Sequence, residues 1–470
     1  MNRNTMNEHA EIITEPSIGQ LDHLKYLTES AGKQNVPYMV FETFLSKINV
    51  EMIEKTLSFM VKRHESLRTI FPVIDGEIKQ VILPYEEETY KLEQFEIQSE
   101  KDFLPTRTML YQNASQSFSN LDQGPHVKFI LIKNADNYFF SFLINHIFCD
   151  AWSLRVIEQE LFAIYTSYVK GEEPKLPPLK LQLKDYCFRQ NAYLHQHKDQ
   201  LSEFWANKLK GFNQTLRIED FYRSYSKRNQ KALQPEKKIE TEQELTAVLN
   251  QEKTMVFSST FVQQNYLKIK TLAQRKHCTV SAIVYASFYA LIFLYSKKSR
   301  VLLAALVADR GKLENRQLIG CLLGGTYLPM NVTEEISLDE LIDQAFPNLL
   351  EGIQQVIYCH SFLGITGSVL RTSSDMYTNY IPVDGPLNPQ ESQKFSKEHR
   401  VDEGIYYAIN CMVYEYSNGL AVNWRYNTGV FAKELMEDLV KCHETIMDSI
   451  IKNDKLTLKE IRAHLQLEEL

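Results

Sequence analysis

The segment YFFSFLI, Tyr138 to Ile144, narrows the possible folds of this chain more than any other stretch. Apart from Ser141, its side chains are apolar or aromatic at odd and even positions alike, so a strand built from it buries both faces. Such a strand lies inside a sheet that is covered on both sides. The preceding run HVKFILIK is separated from it only by the polar turn NADN, and it predicts the neighbouring strand.

Helical spacing surrounds these strands. Asn49 is a predicted N-cap, and apolar residues at helical spacing follow it: Ile53, Leu57, Met60 and Val61. The residues after Ser153 show the same spacing and predict a second helix. Between alternating apolar runs, Asp75-Gly76 predicts a hairpin turn. The first half of the chain is therefore predicted to be mixed α/β.

The second half repeats this alternation of strands and helices. Its strand-like runs are TMVFSSTFV, VLLAALVA and YYAINCMVYEYSNGLAVNWRYN, the last with a hairpin signal at SNG. Helices are predicted from about Gln264, over Val280 to Tyr295, and from Ala432. The apolar run from Val280 is shorter than the roughly 20 residues of a membrane span, so it is interpreted as a buried helix. The predicted fold class is α/β, in two halves of comparable size.

Composition excludes several classes of protein. A chain of 470 residues suits two domains, and a formal net charge of -7 argues against nucleic acid as a partner. The seven cysteines are odd in number and show no CxxC spacing, so neither a disulfide framework nor a zinc cage is predicted. The amino terminus MNRNTMNEHAEIITEP lacks the basic start and apolar run of a signal peptide. We expect a reduced, cytoplasmic protein with no membrane partner.

Common cofactor and hydrolase motifs are absent from the sequence. No GxGxxG, Walker, HExxH or GxSxG pattern occurs. His195 and His197 form an HxH pattern without a nearby third ligand, which favours a solvated helix face over a metal site. We therefore expect no bound cofactor and no metal, and an enzyme of this kind needs an already activated substrate.

The motif LINHIFCDAWS follows the central strand and places His146 and Asp150 on a strand-to-helix connection. Loops held by a rigid strand and helix often carry catalytic groups. On local pattern alone, however, His146 is either a catalyst or a structural histidine at a strand end. Asp150 likewise has a structural interpretation as the N-cap of the following helix.

NHIFCDAWSLRVIEQEL resembles the HHxxxDG signature of condensation domains of nonribosomal peptide synthetases. His146 matches the second histidine and Asp150 the aspartate, and Trp152 and Ser153 follow them. Asn145 stands where the family has its first histidine.

Further segments resemble the same family in the same order. RHESLRTIF is similar to RHExLRTxF, and SIGQLDHL is similar to the SxAQ segment. LKDYCFRQ keeps Asp185 and Tyr186 of YxDYAxW, and VADRGKLENRQLIGCLLGG keeps Arg310 and the Ile-Gly pair of the segment that ends in IGxFVNT. The resemblance runs from about Ser17 to Ile451.

The resemblance implies two chloramphenicol-acetyltransferase-like lobes in a V-shaped pseudo-dimer, with an active-site tunnel at their junction. A polar tail is assigned to residues 1–16, an N-terminal lobe to 17–180 and a C-terminal lobe to 181–470. Nothing is left for an adenylation or carrier domain. We therefore expect a freestanding, monomeric enzyme of natural-product, for example antibiotic, biosynthesis. Its substrates would come on the phosphopantetheine arms of carrier proteins or other synthetase modules.

The resemblance also implies roles for single residues. A neutral imidazole accepts a proton near neutral pH, so His146 is predicted to be a general base or to orient the amine, and the sequence does not separate the two. Asp150 is implied to form a structural, bidentate ion pair with Arg310 across the lobe junction. Arg68 of RHESLRTIF is interpreted as a buried structural guanidinium bonded to carboxylates or carbonyls.

Three departures from the family pattern carry their own expectations. Asn145 is expected to hold the loop through its side-chain amide. Ala151 replaces the motif glycine and adds a Cβ where close approach is otherwise open. LLGGTYLP lacks the Asn-Thr of the family segment, and Gly324 and Gly325 are interpreted as widening the tunnel floor for a bulkier acceptor.

Two alternative functions remain open. The first is an acyl-CoA-dependent N- or O-acyltransferase of the same fold, although the DFGWG motif of the plant-type HxxxD group is absent. The second is a non-catalytic member that docks carrier proteins. The acyl group, the acceptor, and an amide or ester product are not determined by the sequence.

Overall fold

The structure is a computed structural model that describes residues 12–21, 24, 36–135, 137–212, 218–235, 248, 254–296, 298–358, 363, 376–383, 387, 399–401 and 409–465. The chain forms two compact units. The first consists of Met1–Lys198 and Ala308–Leu323, and the second of Asp199–Val307 and Gly324–Leu470. Helices and strands occur in both units, which confirms the predicted α/β class.

The main sheet of the first unit is built around the strand predicted from YFFSFLI. Its strands are β2 (Tyr38–Leu45), β7 (Leu92–Glu96), β8 (Val127–Asn134) and β9 (Asn137–Asn145). They lie in the order β2-β9-β8-β7, and β9 pairs antiparallel with both neighbours. Phe140 and Phe142 enter one apolar cluster while Phe139 and Leu143 enter another. The central strand with two buried faces is therefore confirmed.

Two small sheets complete the strands of this unit. Their strands are β1 (Ile12–Thr14), β3 (Thr69–Ile70), β4 (Val73–Ile74), β5 (Glu77–Ile78) and β6 (Gln80–Ile82). The order in one sheet is β1-β6-β3, and β4 pairs with β5 in the other. Asp75 and Gly76 join β4 to β5 with φ values of 51° and 83°. Two consecutive left-handed residues are what a tight hairpin needs, so the predicted turn is confirmed.

Helices cover both faces of the main sheet. They are α1 (Val50–Arg63), α2 (Glu100–Ser117), α3 (Ala151–Val169) and α4 (Leu183–Lys208). As predicted, Asn49 caps α1, because its side chain accepts a hydrogen bond from the backbone N–H of Met52 at 3.3 Å. α1 packs against α3 on one face, and Leu110 and Tyr111 of α2 pack on the other.

The division into units differs from the predicted boundary at residue 180. It falls inside α4, because Leu183, Tyr186 and Cys187 on the first turns of this helix belong to the apolar core of the first unit. Residues 308–323, predicted to lie in the C-terminal lobe, also belong to the first unit. Arg310 is therefore in the same unit as Asp150.

The second unit contains a larger mixed sheet. Its strands are β10 (Thr254–Val262), β11 (Arg300–Ala308), β12 (Leu323–Asn331), β13 (Met376–Pro382), β14 (His399–Val401), β15 (Ile409–Tyr416) and β16 (Gly419–Asn427). They lie in the order β12-β11-β13-β15-β16-β10-β14. β13 is parallel to β11 and β15, whereas β15 and β16 form the predicted antiparallel hairpin.

The core of the second unit forms around the apolar helix predicted from Val280. The helices are α5 (Ile218–Asn229), α6 (Gln264–Arg275), α7 (Val280–Ser296), α8 (Leu338–Gln354), α9 (Lys433–Lys452) and α10 (Leu458–His464). α7 packs against α8 and α9 and is buried over almost its whole length, as predicted. In the described part of the chain, no single helix meets the length and apolarity needed to cross a membrane, and only α6 and α7 together, bent by 101°, pass on length and composition.

The glycine pair at the start of β12 has a packing role in the second unit. A Cβ on Gly324 would lie 2.2 Å from Cγ1 of Val356. Gly325 exchanges backbone hydrogen bonds with Ile357, at N–O distances of 2.6 and 2.7 Å. The glycines thus allow two chain segments to approach closely. This packing role replaces the interpretation that they widen a tunnel floor.

His443 of α9 is fully buried beneath α7. Its Nε2 lies 2.9 Å from Oγ of Ser287, whose own proton goes to the carbonyl of Val284 at 2.6 Å, so Nε2 carries the imidazole proton. The ring stacks on Phe288 at 5.1 Å and meets Trp424 edge-on at 5.0 Å. Burial lowers the pKa of His443 to about 3. The ring is therefore neutral wherever the unit is folded.

Acid should destabilise the second unit through His443. Below its ordinary pKa of about 6.5, the unfolded chain binds a proton that the folded unit excludes down to about pH 3. The free energy of unfolding should therefore be unaffected by this group above about pH 6.5 and fall by about 1.4 kcal/mol per pH unit below it. Denaturant titrations at neutral pH and at about pH 5 should differ by about 2 kcal/mol on this account.

The control is His443→Asn, whose amide takes up no proton in this range. This variant should be less stable at neutral pH, but its stability should decline less on acidification than that of the unmodified chain. An identical acid-dependent loss in both proteins would contradict the assignment of the effect to His443.

Candidate active site

The candidate site begins where β9 ends, at a short turn over residues His146–Phe148. The side chain of Asn145 is fully buried beside this turn. Its Oδ1 accepts a hydrogen bond from the backbone N–H of Ile147 at 3.1 Å, and its Nδ2 donates to the carbonyl of Phe118 at 3.3 Å. The amide of Asn145 therefore holds the turn.

Asp150 ends this connection and begins α3. Its Oδ1 accepts hydrogen bonds from the backbone N–H and from Oγ of Ser153, both at 2.8 Å, which makes Asp150 the N-cap. Its Oδ2 accepts from the backbone N–H of Leu322 at 3.2 Å. Nη2 of Arg310 lies 2.8 Å from both carboxylate oxygens. Asp150 is thus both a helix cap and one half of a buried ion pair.

The guanidinium of Arg310 shapes its own segment as well as binding the carboxylate. Nη1 donates to the carbonyls of Asn315 and Leu318 at 2.6 and 2.8 Å, and Nη2 also donates to the carbonyl of Gly320 at 2.9 Å. A single nitrogen, Nη2, bridges both oxygens of Asp150, so the pair is not a two-nitrogen fork. Both side chains are almost completely buried, at 4% and 1% exposure. The pair lies within the first unit rather than across a junction.

Further contacts fasten residues 308–323 to the start of α3. Oγ of Ser153 accepts from the backbone N–H of Gly320 at 3.0 Å, and the indole N–H of Trp152 donates to the carbonyl of Arg316 at 2.9 Å. A Cβ on Gly320 would lie 2.6 Å from Cδ1 of Leu183, so the glycine permits this close approach. We call the segment 308–323 the Arg310 segment.

The imidazole of His146 is only partly buried, unlike its neighbours on the turn. Burial alone would lower its pKa, but a hydrogen bond to Cys321 and the charges on Cys321 and Asp150 outweigh that effect and raise the pKa to about 9. The ring is therefore mostly protonated at neutral pH in the free protein. This differs from the neutral imidazole that the sequence predicts, because the contribution of Cys321 was not anticipated.

The remaining predicted residues lie beside the turn or in the core. Ala151 is the first residue of α3 and is partly exposed, so its Cβ is accommodated without burial. Arg68 is buried, and its guanidinium donates to the carbonyls of Val61, at 3.0 Å, and Leu83. These contacts suit the structural role that the sequence suggests for Arg68.

A buried charge cluster that the sequence did not predict stabilises the RHES segment. Glu160 of α3 accepts hydrogen bonds from Nε of Arg63, at distances of 3.1 and 3.2 Å to its two oxygens, and contacts Nε2 of His64 at 2.7 Å. Burial alone would raise the pKa of Glu160, but His64 and Arg63 lower it. The cluster explains why an Arg-His pair ends α1 opposite α3.

The structure places the HxH pattern on the surface of α4. His195 is exposed, and Nδ1 of His197 lies 2.8 Å from the carbonyl of Tyr193, as expected for a helix face. Among the described residues, no group of three or more histidine, cysteine, aspartate or glutamate side chains is arranged to hold a metal ion.

The comparison with protein families decides which kind of chain this is. The model of the Condensation domain family matches residues 26–355. This chain belongs to the condensation domain family. Condensation domains in general transfer acyl groups and form amide bonds, and they occur in synthetases of nonribosomal peptides and their relatives. Their substrates are bound to carrier proteins.

The curated relatives of this condensation domain are much longer proteins. A linear gramicidin synthase of Brevibacillus parabrevis is 25% identical over 435 residues, which cover 89% of this chain and 8% of the synthase. Bacitracin synthase 1 of Bacillus licheniformis is 22% identical over 457 residues, which cover 93% of this chain and 8% of that synthase. The chain thus spans about 8% of the length of each of these relatives.

Solved structures show the same fold. The condensation domain of the monacolin K polyketide synthase MokA has a TM-score of 0.75 and 14% identity, with 95% of this chain and 99% of that domain covered. The starter condensation domain of rhizomide synthetase RzmA, solved with C8-CoA, has a TM-score of 0.72 and 14% identity, with 95% and 96% covered. The condensation-domain fold is therefore established for this chain.

Proposed function

We propose that this condensation domain joins the acyl group of a carrier-bound thioester to an amine and releases an amide. The observation that carries the proposal is the placement of His146, a partly exposed imidazole on a turn with a buried anchor on each side. Asn145 holds the turn at the strand end, and the Asp150–Arg310 pair holds it at the helix start. A rigidly held proton acceptor is what amide formation from a thioester requires.

The proposed reaction forms one bond and breaks another. The amine nitrogen attacks the thioester carbonyl carbon, the C–N bond forms, and the C–S bond breaks to release the carrier thiol. The nitrogen gives up a proton, which His146 accepts as general base or holds through a hydrogen bond that orients the amine. With a pKa of about 9, the neutral ring is a strong proton acceptor but a minor species at neutral pH. The rate should therefore rise with pH towards that value.

A CoA thioester is a second candidate donor. The RzmA starter domain that shares this fold was solved with C8-CoA, so a domain of this architecture accommodates such a molecule. The chemistry at His146 would be the same, since the scissile bond is again a thioester. The two donors differ in what delivers the acyl chain, a carrier protein or free CoA.

One assay tests these proposals together. The purified 470-residue chain is mixed with an acyl carrier protein loaded through its phosphopantetheine arm, or with the matching acyl-CoA, and with free or carrier-bound amines. Products are then weighed by mass spectrometry. An amide formed from the loaded carrier supports the proposal and, because the carrier is a separate protein, also supports freestanding action. Product from acyl-CoA alone would favour the second donor, and binding of carriers without product from any donor would indicate a docking role.

A further inference from the structure

Cys321 of the Arg310 segment is placed opposite the His146 turn by its two chain neighbours. On one side, the backbone N–H of Gly320 donates to Oγ of Ser153 at 3.0 Å. On the other, the backbone N–H of Leu322 donates to Oδ2 of Asp150 at 3.2 Å. Because both flanking peptides are bonded to the start of α3, the position of Cys321 is determined as tightly as that of the ion pair.

The thiol of Cys321 contacts the imidazole of His146 through a hydrogen bond. Both side chains are partly exposed. Of the other ionisable groups around the turn, Asp150 and Cys149 belong to the same connection, and Arg310 comes from the opposite segment. The charge of Asp150 is already matched by Arg310 at 2.8 Å. Cys321 is therefore the neighbour of His146 whose interaction with the ring is not already taken up by an ion pair.

We propose that Cys321 is a positioning residue of this site, whose thiol holds the His146 ring by a hydrogen bond and controls its protonation. The inference deepens the proposed function and rests on it for any effect on catalysis. The Cys321 interaction favours the protonated ring, whereas burial favours the neutral ring. Removal of the thiol should therefore release the proton at lower pH and leave the ring free to turn.

The first test follows the ring directly and needs no substrate. In protein with isotope-labelled histidine, the His146 signal is assigned by its loss in His146→Ala and is titrated by NMR. We expect a midpoint near pH 9 in the unmodified chain. In Cys321→Ala the midpoint should fall by about one pH unit or more. In Cys321→Ser the hydroxyl keeps a hydrogen-bonding group but does not ionise in this range, so its midpoint should lie between the two.

Cys278 offers a matched control, since it is also partly exposed but lies in the second unit. Cys278→Ala should leave the His146 midpoint unchanged. A midpoint in Cys321→Ala that equals that of the unmodified chain would overturn the proposal, whether or not the chain forms product.

The second test measures product formation against pH. The rising limb of the profile should move to lower pH in Cys321→Ala by the same amount as the NMR midpoint. A purely structural role would lower the rate equally at every pH and leave the limb in place, which would count against the proposal. If no variant forms product, the proposed amide formation fails, while the NMR titration still decides the role of Cys321.

Discussion

Replacing His146 with alanine should reduce the rate of amide formation by about 10²- to 10⁴-fold, the range that a positioned general acid or base contributes. The physical reason is that the amine nitrogen then loses its proton acceptor, while the thioester still binds. Because the ring is partly exposed and the turn is held by Asn145 and Asp150, the free energy of unfolding should change by no more than about 1 kcal/mol. Initial rates from the carrier-loaded assay and denaturant titrations measure the two effects.

His195→Ala is the matched control, since it removes an exposed imidazole from α4 of the same chain. It should change neither the rate nor the stability measurably. If His146→Ala forms amide at the unmodified rate, the catalytic assignment is wrong, and a loss of folded protein in that variant would mean that the ring is structural.

Removing either partner of the Asp150–Arg310 pair should have the largest effect on stability. Asp150→Ala leaves a guanidinium buried at 4% side-chain exposure without its carboxylate, and it removes the N-cap of α3. Breaking a buried pair from one side costs about 3–5 kcal/mol, a large part of the about 5–15 kcal/mol that keeps a typical domain folded. Arg310→Ala should act similarly, because it also frees the carbonyls of Asn315 and Leu318. The soluble yield and the denaturant midpoint of each variant test this prediction.

Two controls separate the buried charge from general damage. Arg189 and Glu314 form an exposed ion pair in the same unit, and Arg189→Ala should cost less than about 1 kcal/mol. The double variant Asp150→Ala with Arg310→Met removes the unmatched charge, so it should be more stable than Asp150→Ala alone. Unchanged stability in Asp150→Ala would show that the pair does not hold the turn.

The secondary structure around the site followed from local patterns. YFFSFLI is apolar at alternate and intervening positions, and this pattern specifies a central strand wherever the rest of the sheet lies. Asn49 and Asp150 are helix caps because their side chains reach backbone N–H groups only three residues away. Features of this kind depend on neighbours in the sequence, and the sequence therefore predicts them well.

The contacts of the site depend on residues far apart in the chain. Asp150 and Arg310 are 160 residues apart, and they were paired in advance only through the family resemblance. The thiol of Cys321 was not singled out, although it follows the Ile-Gly pair of a segment that the resemblance had marked. The glycines of β12 were given the wrong role, because a clash with Val356 is invisible without the fold.

By itself, the sequence determined the α/β class, the central strand, the helix caps and the position of His146 at a strand-to-helix connection. These are consequences of side-chain periodicity and of hydrogen bonds over three or four residues. Only the tertiary structure decided that the Arg310 segment belongs to the first unit and that Cys321 raises the pKa of His146 to about 9. The proton affinity of a group depends on the charges and dipoles packed around it in space, and those come from parts of the chain that only folding brings together.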